Sequence, residues 1–303
     1  MRPPAPFAAR PAVLEDASDV ASLMNAFERA YLEEPDEMDA TEVAGWWTGA
    51  DLERDTLVVR DPAGKLAASG RLKEEGEAVL ELDAYVHPEA LGRGLGGFLL
   101  EWAEEESRRL ERPTLRTSAL MADPAAKSLI EGRGFDPVRH FYRMLIELDA
   151  RPPEAVWPEG FEVATFATGD GATLHAVIEE AFADHWGHQP RDLEHWHQHV
   201  FGQAWWDPSL VYLVREGDEA VAAEINAFRF GMGWVGTLGT RVPWRGRGLG
   251  RALLLTAFGE FYRRVQHRIG LAVDAGNETG ATHLYESVGM RVSAQADVYE
   301  KRR

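Results

Sequence analysis

Apolar positions recur at helical spacing through Val20, Leu23, Met24, Phe27 and Tyr31, and Asp16 or Ser18 stands ready to cap the helix they predict. Residues 41–50 predict a second, shorter helix carrying Trp46 and Trp47. Short alternating or continuous apolar runs then predict strands at Thr56–Arg60, Leu66–Leu72 and Ala78–Val86, the first two joined by the turn Asp61-Pro-Ala-Gly64. A helical run to about Leu110, a strand over Leu115–Leu120, a short helix over Pro124–Glu131 and a strand pair opening at Gly134-Phe135 complete this set.

Residues 150–160 are Pro-rich and without periodicity, which predicts a linker. After them the same order begins again. Phe161–Phe166 predicts a strand, and Asp170 opens a helix with Leu174, Val177, Ile178 and Phe182 on one face. Residues 191–202 predict a helix, and 210–215, 219–229 and 233–242 predict strands. A helix with Leu249, Leu253, Leu254, Phe258 and Phe261 on one face follows. Ile269–Val273, Thr279–Ser287 and Met290–Tyr299 predict strand, helix and strand. Gly-Arg-Gly-Leu-Gly stands at 92–96 and returns at 246–250, 154 residues on, and Gly134-Phe135 is answered by Gly289-Met290 at nearly the same offset. The chain therefore reads as an internal duplication of one α/β unit. The expected domains are 1–149, a linker at 150–160, and 161–303.

The 303 residues suit two domains better than one core. A formal charge of −18 argues against nucleic-acid and anionic-membrane partners, both polyanions. With no Cys there is no disulfide framework, Cys nucleophile or Cys-bound metal. The start Met1-Arg-Pro-Pro-Ala-Pro lacks a signal-peptide core, and no run reaches transmembrane length, so a soluble, cytoplasmic protein is expected.

Against that acidic background, Arg241-Val-Pro-Trp-Arg-Gly-Arg-Gly-Leu-Gly-Arg251 stands out. It lies between a predicted strand and a predicted helix, where glycines expose backbone N–H groups and the helix dipole favours an anion. A phosphate or pyrophosphate is the natural occupant. A Walker loop would end in Lys-Ser or Lys-Thr, and a dinucleotide fingerprint would space its glycines G-x-G-x-x-G; neither pattern is present.

The stretch resembles the acetyl-CoA signature of the GNAT acetyltransferases, R/Q-x-x-G-x-G/A, read as Arg245-Gly246-Arg247-Gly248-Leu249-Gly250. That resemblance extends over nearly the whole chain. It implies two tandem domains, each a central mixed, largely antiparallel sheet flanked by helices. It also implies a strand bulge that splays two neighbours apart, with the pantetheine arm of acetyl-CoA lying against the exposed edge near Thr240, Arg241 and Val242. Arg251 falls in the same cradle. Asn277 matches the family asparagine that holds cofactor and strand together, and Tyr285 the tyrosine that protonates the departing thiolate. Taken on their own, Asn277 reads equally as a turn former and Tyr285 as a helix-face core residue.

In the first copy, Leu91, Ala122 and Ile130 stand opposite Arg245, Asn277 and Tyr285. That copy is expected to be non-catalytic, with a possible second cofactor site at Val86, Gly92, Arg93, Gly94, Gly96 and Gly97. The arrangement resembles mycothiol synthase and related tandem acetyltransferases, whose C-terminal half carries the chemistry. Because residues 233–242 hold no Asp or Glu, Glu224 is the candidate general base, with Asp274 behind it. Asp184, His185, Trp186 and Trp196 are candidates for the acceptor pocket, with Trp205 and Trp206 either joining them or serving the core. His195 and His199 are spaced for a metal, but an amphipathic helix with outward histidines is expected, and no metal. The function expected is acetyl transfer to a small amine by a monomer or homodimer. A non-catalytic acyl-CoA sensor and a protein acetyltransferase are the competing readings.

Overall fold

The computed structural model describes residues 1–277 and 280–302. Chain contacts divide it into two compact units, residues 1–142 with 294–303, and residues 143–293.

The first unit contains β1 (Ala8–Arg10), α1 (Ala17–Tyr31), α2 (Ala40–Trp46), α3 (Leu52–Asp55), β2 (Thr56–Arg60), β3 (Leu66–Glu75) and β4 (Val79–Val86). These are followed by α4 (Leu95–Arg109), β5 (Thr114–Leu120), α5 (Pro124–Gly132) and the start of β6 (Asp136–Glu147). β1, β2, β3 and β4 pair antiparallel in sequence, and β5 joins β4 in parallel. Helix starts follow from side chains that satisfy orphan N–H groups: Asp39 accepts from Glu42 N–H and Asp123 from Ala126 N–H.

The second unit repeats the order with β7 (Phe161–Thr165), α6 (Gly171–Phe182), α7 (Leu193–Trp196), β8 (Val211–Glu216), β9 (Glu219–Arg229) and β10 (Met232–Thr240). α8 (Leu249–Arg263), β11 (Arg268–Asp274), α9 (Ala281–Ser287) and the start of β12 (Arg291–Arg302) complete it. The helix expected over 191–202 is split: α7 passes into a π-helical turn, His197–Phe201. Among the described residues no helix is long and apolar enough to cross a membrane.

The last strand of each copy, β6 and β12, is divided between the two units. Ala294–Arg303 belongs to the first unit, where β12 pairs antiparallel with β5 from Ala296↔Leu120 to Arg302↔Thr114. Tyr299, 1% exposed, packs there with Leu72, Leu82, Leu100 and Leu115. Conversely, Arg143 onward belongs to the second unit, where Leu145 lies against Gly270. Tyr299→Ala should therefore cost about 3 kcal/mol. Hydrogen exchange should show the lost protection at Leu72, Leu82 and Leu115 rather than at Leu213 and Val221; the reverse pattern would refute this assignment.

Parted strands open a cleft in each unit. β10 pairs in parallel with β11 only at Gly233↔Ile269 and Trp234↔Gly270, and its register to β9 then slips between Val235 and Thr237. Such a bulge bends the strand and strengthens its twist, so the rest of β10 leaves β11. In the first unit β4 pairs with β5 only from Val79↔Thr114 to Leu82↔Thr117 and then runs on to Val86 with β3 as its only strand partner.

Candidate active site

The end of β10 turns through Arg241 into the glycine stretch and α8. Gly246 and Gly248 take φ of 74° and 87°, the left-handed region that glycine occupies without strain, and Gly248 forms the N-cap of α8. Gly92 and Gly94 do the same at 73° and 81° ahead of α4. The third glycine of each set has another purpose. A Cβ on Gly250 would come within 2.9 Å of Leu284, and one on Gly96 within 2.9 Å of Leu129. It lets the short helix that follows the next strand pack against the turn. The first turn of α8 thus presents backbone N–H groups on an aligned dipole beside the open strand edge.

The arginines of the stretch are mostly committed to the protein. Arg245 Nε donates to the Thr240 carbonyl at 3.1 Å and its Nη2 to the Ala181 carbonyl at 2.8 Å, bracing the turn against α6. Arg241 pairs with Glu180 at 3.0 Å and with Glu219 at 3.4 Å, and Arg247 with Glu216 at 3.0 Å while lying over the Phe161 ring. Val242 is exposed, Leu249 is buried, and Arg251 is exposed on the first turn of α8. The backbone N–H groups of the turn are therefore its chief candidates for meeting an anion. Arg245→Ala should lower stability by about 1–3 kcal/mol by orphaning two carbonyls, with anion affinity falling only through the slackened turn; thermal melts with and without ligand separate the two.

Tyr285, on α9, is 8% exposed. Burial, and secondarily the nearby Glu224 charge, push its phenol up to about 12, so it is a proton donor at any ordinary pH. Glu224 sits on β9, in register with Tyr212 on one side and Leu238 on the other, and is fully buried. Neither carboxylate oxygen has a hydrogen-bond partner. Burial pushes its pKa up to about 8 against the polar influence of the Asn226 amide, which itself donates to the Leu210 carbonyl. Asn277 closes a turn on the Asp274 carbonyl at 3.1 Å, and its Nδ2 lies 3.5 Å from His185 Nε2.

A cavity of about 410 Å³ lies between α6, residues 187–191, α7 and the strands β9 and β10, and reaches Gly236 and Thr237 at the bulge. Trp196, Trp205 and Trp234 line it. Of the four residues proposed from sequence for an acceptor pocket, Trp196 is on its wall, whereas Asp184, His185 and Trp186 are not. His185 instead packs at a tilt against Phe182 and faces Asn277; desolvation lowers its pKa. The wall's carboxylate is Glu179 on α6, which accepts from Trp196 Nε1 at 3.1 Å and pairs with His188 at 3.2 Å. Trp206 packs edge-on against Phe166 with the core, and the His195 and His199 rings stack at 4.0 Å. Sequence could not single out Glu179, because an acidic helix position looks the same whether it faces solvent or a pocket.

In the first unit Val86, Gly92, Gly94, Gly96 and Gly97 line a cavity of their own, while Arg93 lies over the Phe7 ring at 5.3 Å. Ile130 is buried in the apolar core and Leu91 is exposed.

The model of the acetyltransferase (GNAT) family matches residues 20–135 and again 172–290. The mycothiol acetyltransferase of Thermobispora bispora is 33% identical over a stretch covering 67% of this chain and 70% of that protein. That of Catenulispora acidiphila is 30% identical, covering 71% and 69%. A GCN5-related N-acetyltransferase from Sphaerobacter thermophilus superposes with a TM-score of 0.85 at 35% identity over 99% of this chain and 96% of that one. A tandem GNAT protein from the clavulanic acid biosynthesis pathway shares the fold, with a TM-score of 0.78 at 16% identity over 98% of each chain.

Proposed function

The chain belongs to the acetyltransferase (GNAT) family, and from that premise we propose that its second unit, residues 143–293, moves an acetyl group from acetyl-CoA to the amine of a small molecule. The observation that carries this reading is the coincidence in one unit of the parted strands β10 and β11, the left-handed glycine turn and the buried phenol of Tyr285. The pyrophosphate would lie on the first turn of α8, where N–H groups and the dipole favour it. The thioester arm would follow the unpaired edge of β10, past Asn277. The Thr240 carbonyl on that edge also accepts from Arg245.

The amine attacks the thioester carbonyl directly. A carbon–nitrogen bond forms, the carbon–sulfur bond breaks, Tyr285 gives its proton to the departing thiolate, and the ammonium proton passes through water to Glu224. Proximity supplies much of the acceleration, since the attack becomes unimolecular. The aromatic walls and the Glu179 carboxylate of the 410 Å³ cavity suit an organic amine. The mycothiol acetyltransferase relatives support a small-molecule acceptor.

Calorimetric titration of acetyl-CoA tests the reading. A stoichiometry near one, abolished by Gly248→Trp and accompanied by amine-dependent release of CoA, is the expected result. Binding without release would favour an acyl-CoA sensor, and absence of binding would defeat the proposal.

A further inference from the structure

The 410 Å³ cavity of the second unit ends on an arginine that the transfer chemistry does not use. Along β9, Ala223 and Ile225 pack toward α6, whereas Phe228 meets Phe261 of α8 edge-on at 5.4 Å. By the same alternation Arg229 shares the α6 side with Ile225, and it lines the cavity together with Trp205 and Trp234. Its register partner on β10 is Met232, four residues before Gly236 and so roughly 13 Å from the bulge along the strand. Arg229 marks the end of the cavity away from the point of transfer.

The turn beyond it is built at a cost. Phe230 and Gly231 join β9 to β10 with φ of 57° and 73°. Two-residue hairpin turns of this kind favour Asn-Gly, and an aromatic residue in left-handed backbone is sterically disfavoured. The Phe230 ring that results lies 4.6 Å from Arg229 Cζ and edge-on to Trp234 at 4.8 Å, and the Trp205 ring lies 5.1 Å from the same guanidinium. Rings against a guanidinium fix its plane and leave hydrogen bonding to its edges, a fork that matches the oxygens of a carboxylate or phosphate. Charge points the same way. Among the described lining residues Glu179 is the one carboxylate and is paired with His188, while Arg191 and Arg229 are cationic. In a chain of formal charge −18 such a cavity is a local exception, and it favours an anionic group.

Resting on the transfer reading above, we propose that the acceptor is a primary amine carrying an oxyanion, carboxylate or phosphate, at its other end. Arg229 holds that oxyanion while the amine reaches the bulge at Gly236. Arg229 is thus the residue that selects among amines.

The test is calorimetric titration of ω-aminooctanoate, ω-aminooctyl phosphate, n-octylamine and ω-aminooctanamide into the full chain saturated with CoA. At least one oxyanion probe should bind about 10–100-fold more tightly than the amine and the amide, and the stronger of the two identifies the group. Arg229→Gln should bring that probe down to the affinity that n-octylamine has for the same variant. Arg229→Lys, which keeps the charge and loses the fork, should retain part of the preference. Equal affinity for all four probes, no binding of any, a preference that survives Arg229→Gln, or a loss in that variant shared equally by n-octylamine would each overturn the proposal. CoA release from acetyl-CoA with the same four amines separates the two readings. An Arg229-dependent preference without release would defeat the transfer reading and leave the oxyanion site standing, whereas release without preference would defeat the oxyanion site alone.

Discussion

Tyr285→Phe is expected to lower kcat by about 10²–10³-fold while acetyl-CoA affinity stays within about twofold. The phenol is buried on α9 with its pKa at about 12, so it holds its proton across the working range and can release it to a thiolate as charge develops. Phe keeps the ring and its packing and removes only the donor. Single-turnover rates and a direct acetyl-CoA titration separate the outcomes. Equal losses of rate and binding would mean Tyr285 is a packing residue. Because the wild-type acid titrates so high, its turnover should show no alkaline decline below about pH 11.

Glu224→Gln is expected to produce two changes of opposite benefit. Turnover should fall about 10–100-fold above pH 8, and the rise in rate centred near pH 8 should disappear, because the base that titrates there is gone. Stability should move the other way. A carboxyl with a folded pKa near 8 and an unfolded one near 4.5 binds its proton more tightly in the folded protein. Its contribution is full below pH 4.5, is lost progressively as pH rises to 8, and stays lost above that. At pH 9 the Gln variant should therefore be more stable by about 3–5 kcal/mol, with no gain at pH 4. Denaturant unfolding at the two pH values checks this. A Gln variant no more stable at pH 9 would mean that the carboxylate finds a partner when ionised, which would remove the physical basis for its high pKa and for its role as base.

The glycine turn was legible because its signals are local. Glycines at 246 and 248 are needed wherever a strand must turn through left-handed backbone into a helix, and the same demand at 92 and 94 exposed the duplication. Tyr285 was singled out by the family resemblance alone, since by itself it reads as a helix-face core residue. The surroundings of other residues were not legible, for reasons that are equally physical. The partners of Arg241, Arg245 and Arg247, which are Glu180, Glu219, Ala181 and Glu216, are distant in sequence. His185 read as pocket wall because composition reports a residue type and not its direction.

By itself the sequence determined the α/β order, its repetition, and the local turn chemistry, since helix period, strand alternation and glycine backbone freedom are properties of short segments. Only the tertiary structure decided which unit each last strand enters, that the third glycine serves helix packing, and that Glu179 and not Asp184 faces the cavity. It alone also placed Glu224 where no donor reaches it. These depend on long-range pairing and burial, which a strand or a carboxylate acquires from its neighbours in space.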